Sequence, residues 1–180
     1  MVEILEQIKN SHPDMIWIDG KDGSGKSYLA NQLGEQLKIP VLSVDDFLVR
    51  QQGFYVSSVK FDQLRDTIVQ ASKPVIIEGV CLLKVRENLG IEGGLDIYVK
   101  RMSPMGYWAD ADECDLEVPP DEFIQSQLET LDRAATIDFM GIESSSEPIE
   151  FPPLDRELIE YHYSYQPHKK SDITYCRIDE

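Results

Sequence analysis

Eight consecutive residues carry the densest chemistry in this chain: Gly20-Lys21-Asp22-Gly23-Ser24-Gly25-Lys26-Ser27. Glycines at this spacing let the backbone wrap so that its N–H groups point inward, which makes a nest for an anion. A lysine closing such a turn neutralises phosphate oxygens, and the hydroxyl beside it completes the shell of a magnesium ion. The segment follows the apolar run Met15–Asp19 (MIWID) and precedes a helical pattern at Lys26–Leu37, so it stands where a phosphate-binding P-loop must stand. The helix adds unpaired amides and its positive end. A glycine-rich turn without chemistry is the plainer alternative, and the flanking strand and helix speak against it. Gly20, Asp22, Gly23, Ser24, Gly25, Lys26, Ser27 and Tyr28 are therefore the candidates for holding a nucleotide, expected to be ATP with Mg²⁺.

Two carboxylates follow at places where apolar runs end. Asp45 lies in Ser43-Val44-Asp45-Asp46-Phe47, directly after the second run. In an open α/β sheet the carboxyl ends of the strands form the ligand crevice, so Ser27 and Asp45 should reach one rim. Asp45 can orient an attacking hydroxyl and take its proton, or hold Mg²⁺ through water. Asp45 and Asp46 can also be no more than a helix cap or turn. Glu78 closes the run Val75-Ile76-Ile77 and is followed by Gly79. An acid at the end of a buried strand is costly unless it meets a cation or donors. A magnesium-water role and a structural hydrogen bond to the P-loop both answer that need. Arg50 and Tyr55, just beyond Asp45, are where a small substrate would be read. Arg50 suits a carboxylate or phosphate, with a solvated surface arginine as the alternative.

The elements that must position these groups are visible as short apolar runs alternating with helical patterns. The runs are Met15–Asp19, 41–44, 75–77, 95–99 and the weaker Ile173–Ile178. This alternation predicts a parallel sheet covered on both faces. Helical spacing predicts helices over Lys26–Leu37, 61–71, 121–140 and 154–161, with a short amphipathic helix at 1–10 carrying Val2, Leu5 and Ile8, with Ile4 alongside. The stretches 102–120 and 141–153 look irregular, and the first is rich in acids. A chain of 180 residues suits a single domain, 1–180, with a lid or mobile loop around 102–120.

Lys+Arg 17 against Asp+Glu 33 gives a net charge of −16, which disfavours nucleic acid and anionic membranes as partners. Any triphosphate must then be held by a local concentration of donors. The three cysteines Cys81, Cys114 and Cys176 make neither a zinc pattern nor a disulfide framework, and Cys81 sits in an apolar run as a core residue. No stretch is long and apolar enough to span a membrane, and residues 1–10 lack the basic start of a signal peptide. A cytoplasmic location is the expectation.

The residues resemble the uridine kinase-like branch of P-loop kinases, which also includes nicotinamide riboside, pantothenate and glycerate kinases. The likeness rests on Ile18-Asp19-Gly20 entering the P-loop, Ser43 to Phe47, Phe61-Asp62-Gln63-Leu64, Val75 to Gly79, and Tyr161 to Asp172. It implies a P-loop NTPase three-layer α/β/α sandwich with a five-stranded parallel sheet of order 2-3-1-4-5. It also implies ATP-dependent transfer of a phosphoryl group to a hydroxyl of a small metabolite of nucleoside, vitamin or sugar-acid type. Asp45 matches the acid that contacts the substrate hydroxyl, Glu78 the acid near magnesium, and Lys26 and Ser27 the phosphate and metal residues. Family members follow the fourth strand with an arginine-rich lid. Here Lys100-Arg101 is followed by Met102-Ser103-Pro104 and then acids, so Arg101 and Arg133 are the candidates to serve. That acid-rich, arginine-poor segment also keeps open a nucleotide-binding regulatory protein without kinase activity. Guanine recognition is disfavoured, because no Asn-Lys-x-Asp motif occurs.

Overall fold

The computed structural model of the chain describes residues 1–49, 53–138 and 150–178, with backbone alone at 133–138. Its centre is one five-stranded sheet in which every neighbouring pair is parallel, in the order β2-β3-β1-β4-β5. The strands are β1 (Met15–Asp19), β2 (Val41–Ser43), β3 (Val75–Glu78), β4 (Leu95–Met102) and β5 (Ile173–Ile178). The order 2-3-1-4-5 and the three-layer α/β/α build are those that the resemblance implies.

Alternation along the central strands sorts side chains between two cores. Ile16, Ile18, Ile76, Ile97 and Val99 face one layer, where they meet Ile4 and Ile8 of α1 (Val2–Ser11) and Leu29 and Leu33 of α2 (Lys26–Leu37). Trp17, Val75 and Ile77 face the other. There they meet Leu64 and Ile68 of α3 (Phe61–Gln70), Val85 and Leu89 of α4 (Leu82–Leu89), and Leu158 and Tyr161 of α7 (Pro153–Tyr165). A strand covered on both faces must be apolar throughout, which is why Val75, Ile76 and Ile77 are all fully buried.

The remaining helices are α5 (Ala111–Cys114), α6 (Pro120–Asp138) and α8 (Pro167–Lys170). Most expected boundaries hold to within a few residues, but three differ. The first helix buries Ile4 and Ile8, with Leu5 partly buried beside them, and of the expected stripe only Val2 is exposed. β4 runs to Met102, three residues past the apolar run, because β5 pairs with it as far as Met102↔Ile178. The third is that α4 and the four-residue helices α5 and α8 have no counterpart in the sequence reading. Cys81 is buried, as expected of a core residue, and its thiol is pushed well up, chiefly by burial. Within 102–120, Ala109 donates back to Arg101 and α5 packs against α7. No helix among the described residues is long and apolar enough to cross a membrane.

Candidate active site

Register decides what the sheet presents at its rim. Ile18 and Ser43 both pair with Glu78, so β1, β2 and β3 end level and release their loops side by side. The P-loop leaves β1, the turn holding Asp45 leaves β2, and Gly79 leaves β3. Gly25, at φ 96, takes the left-handed conformation that starts α2, one that favours glycine over residues with a Cβ. The first amides of α2 lack acceptors within the helix and supply the donors of the nest.

Lys26 is buried, and its ammonium donates to the Lys21 carbonyl at 2.9 Å. Ser27 donates its hydroxyl to Glu78 Oε2 at 3.1 Å. This is the structural hydrogen bond raised as one alternative for Glu78, which is itself buried at the end of β3. Asp22 accepts from the Gly23 amide at 2.9 Å, and Tyr28 is exposed on the first turn of α2. Gly20 packs so closely that a Cβ there would stand 2.7 Å from Ser24 Oγ and from the Val99 carbonyl. Ser24 Oγ is buried inside the loop with no hydrogen-bond partner among the described residues.

Asp45 sits in the first turn of a short 3₁₀ segment, Val44–Phe47, whose cap position is Ser43. Asp45 does not cap it; its Oδ1 accepts the Tyr55 hydroxyl at 2.6 Å. Gly79 makes room for that hydroxyl, since a Cβ there would meet Tyr55 Oη at 2.8 Å. Burial first, then Asp45, pushes the Tyr55 phenol up, so it stays a donor. Tyr55 is in turn held by its backbone. Glu157 of α7, buried, accepts the Tyr55 amide at 2.5 Å and the Val56 amide at 3.3 Å.

These pieces meet in one cleft of about 470 Å³ lined by Asp22, Gly23, Gly25, Lys26, Ser27 and Tyr28, with Asp45, Tyr55 and Glu78 opposite. Leu48, Val80, Leu154 and Leu158 complete the lining. The expected juxtaposition of Ser27 and Asp45 on one rim is therefore present. Arg101 stands apart from these residues. Its guanidinium donates to both oxygens of the buried Asp110, at 2.6 and 3.4 Å. Lys21 reaches the same carboxylate at 3.8 Å and Glu113 at 2.5 Å. Asp110 and Glu113 thus dock on Lys21 within the P-loop. Arg133 stands in α6, and its side chain, like the whole of Arg50, lies outside the described residues.

Three groups at the site escape sequence reading. Asp19 closes β1 with one oxygen accepting the Gly20 amide at 2.7 Å and the other accepting the Leu82 amide at 3.2 Å and the Tyr161 hydroxyl. Burial pushes its carboxyl up to about 6, against the pull of those donors. It tethers the start of the P-loop to α4 and α7. Its signal was present, because an acid ending a buried strand poses the same question as Glu78. Glu157 and Arg177 gave no local signal. Arg177, near the end of β5, lies against the loop, where a Cβ on Gly25 would stand 2.6 Å from its Nη1.

No protein-family model matches the chain, and no curated protein matches it. Among solved structures it is similar to a possible uridine kinase from Bacillus stearothermophilus, at 14% identity over 96% of this chain and 99% of that one, with a TM-score of 0.45. It is also similar to shikimate kinase from Aquifex aeolicus, at 17% identity over 90% and 86% of the two chains, with a TM-score of 0.43. Shikimate kinase from Bacteroides thetaiotaomicron matches at 12% identity over 90% and 85%, with a TM-score of 0.38. Likenesses this remote carry no chemistry with them, and the site must speak through its own residues.

Proposed function

We propose that this chain transfers the γ-phosphoryl group of ATP to a hydroxyl of a small metabolite. One observation supports the reading above others: Lys26 and Ser27 of the P-loop share a single cleft with the carboxylates Asp45 and Glu78. A binding module needs the loop alone. A phosphotransferase also needs a carboxylate within reach of the acceptor.

The donor set fits magnesium, since a hydroxyl and carboxylates are the hard oxygen ligands that ion takes. Among the described residues, no group of three His, Cys, Asp or Glu is placed to hold an ion unaided. A cation shared with the phosphates accords with that. Ser27, Glu78 and Asp45 are the residues proposed to hold it, directly or through water; when bound, it neutralises the β- and γ-phosphate oxygens. Lys26 turns its ammonium from the Lys21 carbonyl to those oxygens. Asp45 orients the acceptor hydroxyl and takes its proton as the new O–P bond forms and the bond to ADP breaks. Tyr55 fixes Oδ1 of Asp45, which leaves the other oxygen for the acceptor. Arg101 and Arg133 are the proposed lid cations, and Arg50 a further substrate contact.

The test is ATP binding by calorimetry beside ADP formation against a panel of alcohols, with Asp45→Asn alongside. The variant should retain ATP affinity and lose turnover by at least about 100-fold; unchanged turnover removes Asp45 from the reaction. One observation favours a second reading, a nucleotide-binding regulator: Arg101 and Lys21 are engaged by Asp110 and Glu113. ATP binding with no transfer to any acceptor supports the regulator instead.

A further inference from the structure

Arg177 has no part in the chemistry proposed above, yet it lies against the phosphate nest. It stands in β5 in register with Arg101 of β4, and the alternation of both strands sends the two side chains to the face that α2 covers. Arg101 turns to Asp110. Arg177 reaches Gly25, where a Cβ would stand 2.6 Å from its Nη1, 2.7 Å from its Cδ and 3.2 Å from its Cζ. Gly25 is the residue that caps α2 and lines the cleft. The positive end of a helix is a costly place for a cation. Two cationic residues are set at this one, Lys26 on the first turn and Arg177 beside the cap. An anion over Gly25 turns both, and the helix end itself, into favourable partners.

The sheet order selects the phosphate. Asp45 and Glu78 come from the ends of β2 and β3, on one side of β1, and β5 lies on the other side, beyond β4. Transfer requires the γ-phosphoryl group to face Asp45. The rest of the nucleotide then runs across Gly25 toward β5, which brings the phosphate nearest the nucleoside to Arg177. We infer that Arg177 is a nucleotide-binding residue whose guanidinium holds the α-phosphate of ATP from the β5 side of the P-loop. The direction of the nucleotide rests on the phosphotransferase reading. A planar guanidinium matches two oxygens of one phosphate, which a lysine at this place does not. The α-phosphate keeps its bonds while the γ-phosphoryl group moves, so this contact is equal in ground state and transition state. It contributes affinity for the nucleotide and leaves the rate of transfer alone.

The test is calorimetric titration with ATP, ADP and inorganic tripolyphosphate, each with Mg²⁺, of the native chain, Arg177→Gln and Arg177→Lys. Arg177 is half-buried on an edge strand, so both variants should fold, and melting without nucleotide checks that they do. Arg177→Gln should weaken ATP and tripolyphosphate alike by about tenfold. Arg177→Lys keeps the charge without the fork and should recover about threefold of that loss. Steady-state kinetics should show the KM for ATP rising in Arg177→Gln while kcat holds within about twofold. Loss confined to ATP and ADP, with tripolyphosphate unchanged, moves Arg177 to the base or ribose and overturns the phosphate assignment. Equal loss in the two variants overturns a role through charge. Unchanged affinity in Arg177→Gln overturns the inference and leaves the phosphotransferase reading standing. ATP binding by the native chain without transfer to any alcohol overturns that reading instead, and with it the stated direction of the nucleotide.

Discussion

Tyr161 of α7 donates its hydroxyl hydrogen to Asp19 at the end of β1, joining residues 142 positions apart beneath the P-loop. The pair is buried, and burial raises the Asp19 carboxyl to about 6 and pushes the Tyr161 phenol well up. A carboxyl that binds its proton more tightly in the folded chain contributes stability that is full below its unfolded value of 3.8 and is lost as pH rises through about 6. Asp19→Asn removes that titration along with two accepted bonds. The variant should be less stable, and its deficit should shrink by about 2 kcal/mol between pH 4 and pH 7. Urea melts across that range check this, and a deficit independent of pH would contradict the raised carboxyl.

Removing only the oxygen of Tyr55 separates packing from orientation. Tyr55→Phe keeps the buried ring and deletes the donor to Asp45 Oδ1. The fold should lose about 1 kcal/mol. If Tyr55 orients Asp45, kcat should fall by about tenfold or more with little change in the KM for ATP. Steady-state kinetics with both substrates varied would show the split, and a change confined to the KM for ATP would count against it.

Asp110 gathers Arg101 and Lys21 at one buried carboxylate. Asp110→Asn should cost roughly 1–2 kcal/mol, a modest figure because Arg101 is about a third exposed and Lys21 keeps Glu113. Loosening both cations beside the P-loop should strengthen ATP binding by a few-fold. Calorimetric titration of the variant reads this directly; weaker binding would mean that the acid cluster shapes the loop and does not compete for its charges.

The hydroxyl of Ser27 is proposed to serve Mg²⁺ and now meets Glu78. Ser27→Ala should lower turnover by about 10-fold to 100-fold at limiting Mg²⁺, with partial recovery as the ion is raised. A loss that excess Mg²⁺ leaves untouched assigns Ser27 to the loop's structure alone.

The parts of the fold legible in the sequence are those written in local periodicity. β1, β5 and α2 fall where Met15–Asp19, Ile173–Ile178 and Lys26–Leu37 predict them, and the P-loop motif marks its own turn. The helix α4 was missed although Leu82, Val85 and Leu89 recur at helical spacing. It is only eight residues long, and it starts after Cys81, a non-glycine residue at φ 56, so an apolar run masks its beginning. At the site, Lys26, Ser27, Asp45 and Glu78 were readable because each ends or follows a strand on one rim. Glu157 was not. Its meaning lies in an amide 102 positions away, and no local pattern encodes such a contact.

That same Glu157 gives the late part of the chain authority over the early part. The ring of Tyr55 stands where it does because a helix one hundred residues downstream grips the peptide beneath it. Small displacements of α7 would travel through this grip to the carboxylate that Tyr55 steadies, with the phosphate nest untouched. Reshaping the far wall of the cleft would therefore begin with Pro153–Tyr165 and leave the glycine-rich turn as it is.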